Sequence, residues 1–261
     1  MSLSSAAVAA ASAAWVWVPD NAEVIETDQY TILRLPDYFE RDLRVLTFMP
    51  DGPLGPAVDA VLGRARTLGR PELDWEARLE APAGLAAELA ARGGQPKLTV
   101  EVLATDLSAG APELPPPTAK LTVRWATDAA ATRDGAVVGV AAFGGAVAPD
   151  ERIEAEAERD ARSVPAGDGG MVVAYLDGTP VGCGGVTMAD GVARLWGGAV
   201  VPGARGQGVY RAVLAERLRY AVTHGATMAL VKGNVETSGP ILRKAGFAGH
   251  GQETVYTIPL G

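Results

Sequence analysis

Two glycines and two of the three arginines of "ARGQGVYRAVLAERL", residues 204–218, crowd into its first eight positions, at the start of a run with apolar residues at helical spacing. The first four N–H groups of a helix have no partner inside it and sit at the positive end of its dipole, so they attract anions. Glycine at 206 and 208 removes the side chains that would hold a bulky anion off the backbone, while Arg205 and Arg211 add charge-assisted donors. The combination suits a diphosphate. Other reactive chemistry is thinly supplied. Cys183 is the sole cysteine, so neither an intrachain disulfide nor a thiolate metal cluster can be built, and a cytoplasmic setting is expected. His224 and His250 are the only imidazoles, which argues against a metal site and against a Ser–His–Asp hydrolase.

Which diphosphate the turn would hold depends on the spacing. A Walker loop needs Lys-Ser or Lys-Thr after its last glycine, and here Gly208 is followed by Val209 and Tyr210. A dinucleotide fingerprint needs a third glycine where Arg211 stands. What the stretch resembles is the [QR]-x-x-G-x-[GA] signature of the GNAT superfamily of acyl-CoA N-acyltransferases, as Arg205-Gly206-Gln207-Gly208-Val209-Tyr210, with Tyr210 departing from the small final residue. The preceding "AVVP", the following strand up to Asn234, and "PILRKAGF" with Gly246-Phe247 extend the likeness over about 118–261.

The resemblance implies an acetyl-CoA-dependent N-acetyltransferase working by direct attack of a small-molecule or peptide amine. In that role the amides of Gly206, Gln207, Gly208, Val209, Tyr210 and Arg211 bind the coenzyme diphosphate, flanked by Arg205. The backbone of Ala199 and Val200 pairs with the pantetheine arm and supplies an oxyanion donor, and Asn234 and Ser238 line the thiol end. The family's usual glutamate base falls on Trp196, six residues before Pro202, and its usual tyrosine acid falls on Leu242. Glu253 is a weak substitute, and Glu236 suits only a helix start. Cys183 between valine and glycine reads as core, and His224 as a helix C-terminal complement. Trp125 and Trp196 line an acceptor pocket or, by default, the core. The missing acid and base keep a second reading open, a non-catalytic acyl-CoA sensor.

These residues need elements to hold them. "AKLTVRWATD" reads as a strand, followed by helices around 128–143 and 149–163, the second with a solvated charged face. Asp177-Gly178 and Asp190-Gly191 then mark two tight hairpins joining three antiparallel strands. Paired Gly197-Gly198 predict a bulge in the third strand. A helix from Gln207 to His224 stops at Gly225, and "ATMALVK", "SGPILRKA" and "ETVYTIPL" read as strand, short helix and strand.

The prolines of "DLSAGAPELPPPTAK" read as a stiff connector, giving a domain over 1–110, a linker over 111–117 and a coenzyme-binding domain over 118–261. The first part reads as a shortened copy of the second: "LRVLTFMP" parallels "LWGGAVVP", and a helix ends at Gly69 as another ends at Gly225. Pro50 to Gly69 spans 19 positions and Pro202 to Gly225 spans 23, so the first copy lacks four residues at the glycine turn, and its "DGPLGP" holds no arginine. The expected class is therefore α/β (α+β), a mostly antiparallel sheet with flanking helices, in tandem with a degenerate N-terminal copy. That copy leaves its surface for a protein partner or a homodimer.

At 261 residues, 48% hydrophobic and 21% charged, the chain supports a packed core. A net charge of −8 gives nucleic-acid binding no overall support and favours a cationic acceptor amine. The N-terminal "MSLSSAAVAAASAAWVWVPD" has no basic residue to open a secretory signal and falls short of the ~20 apolar residues of a membrane span. A helix capped by Ser4 or Ser5 is the expectation.

Overall fold

The structure is a computed structural model and describes residues 3–19, 21–36 and 43–261; two residues of the N-terminal stretch just quoted, Met1 and Ser2, and its final Asp20 lie outside that set. In chain order the elements are α1 (Ser5–Ala13), β1 (Glu23–Glu26), β2 (Tyr30–Arg34), β3 (Leu43–Phe48), α2 (Leu54–Arg66), β4 (Glu72–Ala77), α3 (Leu85–Ala91) and β5 (Gln95–Asp106). After the proline segment come β6 (Leu121–Trp125), α4 (Ala129–Phe143), α5 (Asp150–Ala166), β7 (Gly169–Leu176), β8 (Thr179–Ala189) and β9 (Val192–Val200). A 3-10 turn at Pro202–Ala204 leads to α6 (Val209–Thr223), β10 (Met228–Asn234), α7 (Ser238–Lys244) and β11 (Ala248–Pro259). Among the described residues no helix is long and apolar enough to cross a membrane.

The chain forms two compact units, each assembled from separated stretches of sequence. One holds Ser4–Leu103 together with Gly233–Ile241 and Gly249–Gly261; the other holds Ala104–Lys232 and Leu242–Ala248. This differs from a simple division at 111–117, and β11 is the reason. Its residues pair antiparallel with β4, from Thr254↔Ala77 to Pro259↔Glu72, so the final strand belongs with the first hundred residues.

In the first unit the strands run in the order β1-β2-β3-β4-β11-β5. β3 and β4 are parallel, as the copied strand–helix–strand pattern requires. Val58, Val61, Leu62 and Ala65 form the buried stripe of α2, and they meet Val45, Leu73, Trp75 and Ile258 in one core. Phe48 packs edge-on to Trp75 at 5.0 Å. Ser4 caps α1 by accepting from the Ala7 N–H, the cap the sequence calls for.

The second unit orders its strands β10-β9-β8-β7-β6. Both hairpin turns carry positive φ at their two central residues, Asp177 and Gly178 (49° and 81°) and Asp190 and Gly191 (52° and 74°), as the Asp-Gly pairs predict. The meander has two covered faces. Ala131 and Val138 of α4 pack with Val173, Tyr175, Cys183 and Ala199, whereas Val209 and Val213 of α6 pack with Val172, Ala174 and Val181 on the other side. The glycines of "VGCGGV" now have a packing reason: side chains at 182 and 184 would run into Val209 and Arg217 of α6, and one at 185 into the Trp196 ring.

Candidate active site

β9 and β10 run parallel and in register from Val192↔Met228 to Leu195↔Val231, and their registered pairing stops there. Beyond Leu195 that edge of β9 has no registered strand partner among the described residues. On its other edge β9 stays paired to β8, but Cys183↔Ala199 and Gly185↔Trp196 leave one extra β9 residue between them. This is the bulge expected at Gly197-Gly198, and Gly197 has φ 60°. Val201 donates to the Val181 carbonyl, so by antiparallel alternation Ala199 turns its polar groups to β8 and Val200 turns its own to the open edge. Of the two residues expected to hold the pantetheine arm, Val200 alone offers a free-edge amide. Its carbonyl also accepts from Arg205 Nε at 3.4 Å.

The strand leads through the 3-10 turn to the glycine turn. Gly206 and Gly208 have φ 80° and 84°, and Gly208 is the N-cap of α6 with no side chain capping it. The first-turn amides of Val209, Tyr210 and Arg211 are therefore without intrahelical acceptors. A Cβ on Gly206 would meet open space. Gly208 is different: it is buried, and a Cβ there would lie 2.6 Å from Pro117 Cα.

What covers Gly208 is the proline segment that the sequence suggests is a spacer. Arg211 donates to the carbonyls of Pro115 (Nε, 3.1 Å) and Pro116 (Nη2, 3.3 Å). Thr118 donates to the Gln207 carbonyl from both its N–H and its hydroxyl, each at 3.2 Å. The segment is a strap tied across the turn at three residues.

The residues expected at the thiol end and in catalysis have partners of their own. Asn234 and Ser238 fall in the other compact unit. The Asn234 side-chain oxygen accepts from the N–H groups of Glu236 and Thr237 at 2.8 and 3.1 Å, which leads the chain into α7. Glu253 is also in that unit; it is buried within β11 and takes the Ser12 hydroxyl at 3.0 Å. Leu242 is fully buried. Trp125 donates to Glu216 at 2.9 Å and stacks on Tyr220, while Trp196 donates to Thr187 at 3.0 Å with its ring over Gly185. His224 closes α6, its Nδ1 2.9 Å from the Tyr220 carbonyl. Burial pushes the Cys183 thiol up to about 11, so it stays protonated. Among the described residues no cluster of His, Cys, Asp and Glu could hold a metal ion.

Arg217 is the residue that sequence reasoning missed. It is fully buried on α6, donating from Nε to Val213 O (3.3 Å) and from Nη1 to Gly185 O (3.2 Å) and Trp196 O (3.4 Å), while Nη2 finds no acceptor. An arginine at helix position i+7 from Tyr210, on the apolar face, is the signal that could have found it.

A family model described as Acetyltransferase (GNAT) family matches residues 142–247. No curated protein sequence is similar enough to match the chain. Among solved structures, a GCN5-related N-acetyltransferase from Kribbella flavida is 20% identical with TM-score 0.66, over 92% of this chain and 90% of that one. Another, from Sphaerobacter thermophilus, is 17% identical with TM-score 0.69, over 89% of this chain and 81% of that one. A tandem GNAT protein from the clavulanic acid biosynthesis pathway is 17% identical with TM-score 0.62, over 94% and 85%. At these identities the likeness is one of fold, and it runs through both halves of the chain.

Proposed function

We propose that the chain moves an acetyl group from acetyl-CoA to a primary amine of a small molecule or peptide, a reading supported by the match of residues 142–247 to the acetyltransferase (GNAT) family model. One observation carries the proposal. The strand whose edge comes free after Leu195 runs straight into an uncapped, glycine-opened helix start, so a slot for an amide-bearing arm ends at donors for a diphosphate.

In this account the first-turn amides of α6 and Arg205 hold the diphosphate, and Gly206 keeps the approach clear. Val200 pairs with the pantetheine amides from the open edge of β9, and the bulge amides donate to the thioester carbonyl. The amine nitrogen attacks that carbonyl carbon, the C–S bond breaks, and the thiolate takes up the proton that the amine loses. The net charge of −8 favours a cationic acceptor.

Testing begins with the turn. A carboxylate at 208 would be uninformative, because any side chain there meets Pro117; position 206 is open. Gly206→Asp and Gly206→Asn share shape and backbone strain and differ in charge. Calorimetry should find acetyl-CoA binding weakened about tenfold or more in the Asp variant relative to the Asn one, the size of one charge-assisted contact turned repulsive. Equal affinities would remove the diphosphate from this turn.

Leucine at 242 in place of the family's usual acid favours a second reading, an acyl-CoA-binding sensor without turnover. Thiol release from acetyl-CoA across a panel of amines separates the two, since the sensor binds and releases nothing.

A further inference from the structure

We propose that Arg217 is a positioning residue for acyl transfer, bracing the β9 bulge and setting a fixed positive charge behind the amides that face the thioester carbonyl. This rests on the coenzyme-binding role argued above.

The location comes first. Gly185 and Trp196 face each other across β8 and β9 at the register shift, and Arg217 Nη1 takes both of their carbonyls. Trp196 is also the first β9 residue beyond the last pair with β10, so the guanidinium lies against the closed end of the slot. Seven residues earlier on α6, Tyr210 also sets its ring against the bulge: a Cβ on Gly198 would be 2.9 Å from Tyr210 Cε2. Two side chains from one helix face thus pack against the bulge.

The physical argument is that packing alone gives no reason for this residue. A buried cation without a counter-ion works against the folded state, and among the described residues no carboxylate pairs with Arg217. Burial draws the guanidinium below the ordinary arginine range, against the opposing influence of Tyr210 and Cys183. β8 also gives up a side chain for it, because a Cβ on Gly184 would lie 2.9 Å from both Cζ and Nη1. A methionine would fill a similar volume without these costs. What methionine lacks is a donor to hold the two carbonyls and a charge that stabilises the carbonyl oxygen as it becomes negative.

The test compares the full-length protein with Arg217→Met and Arg217→Lys, using acetyl-CoA isotopically labelled at its carbonyl. Calorimetry gives affinity, infrared spectroscopy gives the stretch of the bound carbonyl, and thermal melting gives stability. In the parent protein the stretch should move to lower wavenumber on binding. The Met variant should bind with unchanged affinity, melt no lower than the parent, and return the stretch towards its free value; Lys should restore part of the shift. With any amine that supports thiol release, the Met variant should be slower by about 10–100-fold at saturating coenzyme. A Met variant that keeps the full shift overturns the proposal, as does one that loses affinity and melting temperature together, which marks a purely structural residue. If the parent binds acetyl-CoA but shows no carbonyl shift, Arg217 has nothing to position and only this inference falls. If the parent does not bind acetyl-CoA at all, the coenzyme role falls and takes this inference with it.

Discussion

Cys183 shows how environment decides chemistry at the level of one residue. Its Sγ lies 3.9 Å from the Gly197 carbonyl, at the bulge, where an acyl-accepting thiol would be convenient. Yet nucleophilic cysteines are thiolates, and burial holds this one protonated up to about pH 11. Cys183→Ala should therefore retain thiol release from acetyl-CoA, and iodoacetamide should leave the folded parent unmodified at pH 8. The same shift has a stability consequence with a definite sign. A thiol whose pKa is raised by folding holds its proton longer in the native state, so its contribution is whole below the unfolded value near 8.5 and is lost as pH rises towards 11. Chemical denaturation across that window should show the parent losing stability more steeply than Cys183→Ala. At this scale the sequence is partly legible. Cysteine between valine and glycine reads as core, and is core; Gly208 reads as an open cradle position, and is covered by Pro117. Nothing near Gly208 in sequence signals that contact, because its partner lies some ninety positions earlier.

Local patterns do better with elements than with what covers them. The Asp-Gly hairpins, the helix stop at Gly225 and the paired-glycine bulge all rest on backbone conformations that few residues adopt, so their signals survive tertiary packing. The proline segment is a different case. Its stiffness follows from three consecutive prolines, but its path depends on Arg211 and Gln207. The guanidinium that would meet a diphosphate is already bonded to two carbonyls, so the strap competes with the coenzyme for Arg211. Replacing Pro115, Pro116 and Pro117 with Gly, Ser and Gly raises the entropy that must be lost to keep the strap down, at about 0.4–1 kcal/mol per site. Stopped-flow association of coenzyme A should quicken in this triple variant by roughly 10–100-fold, the sum of those increments. Slower or weaker binding would mean that the prolines form one wall of the coenzyme site instead.

For the whole molecule, the copied pattern in the two halves is legible while the assignment of the last strand to the first unit is not. β3-α2-β4-α3-β5 and β9-α6-β10-α7-β11 repeat one element order, with a parallel strand pair in each. Periodicity reveals such repeats because each copy must bury the same faces. Strand partnership between residues as far apart as Thr257 and Asp74, 183 positions, carries no local signal, and so the boundary at 111–117 looks cleaner in sequence than in the fold. The consequence is that the first unit depends on the end of the chain. Ile258 is fully buried in the same core as Leu73, Trp75 and Leu89, and its neighbours Thr257 and Pro259 pair with Asp74 and Glu72 of β4. Thr257 also donates to Asp74, a buried carboxylate that Lys97 approaches at 3.3 Å. Ile258→Ala leaves a cavity there and should lower the unfolding free energy by about 2–5 kcal/mol. The loss should appear in whichever denaturation transition reports on Trp75, followed by its fluorescence with the other tryptophans replaced. Residues 1–110 expressed alone lack β11 and leave β4 with an unpaired edge and an open core, so they should show no cooperative transition. Adding residues 118–261 as a separate chain should restore one. A cooperatively folding 1–110 fragment would show that β11 adds to a unit already complete without it.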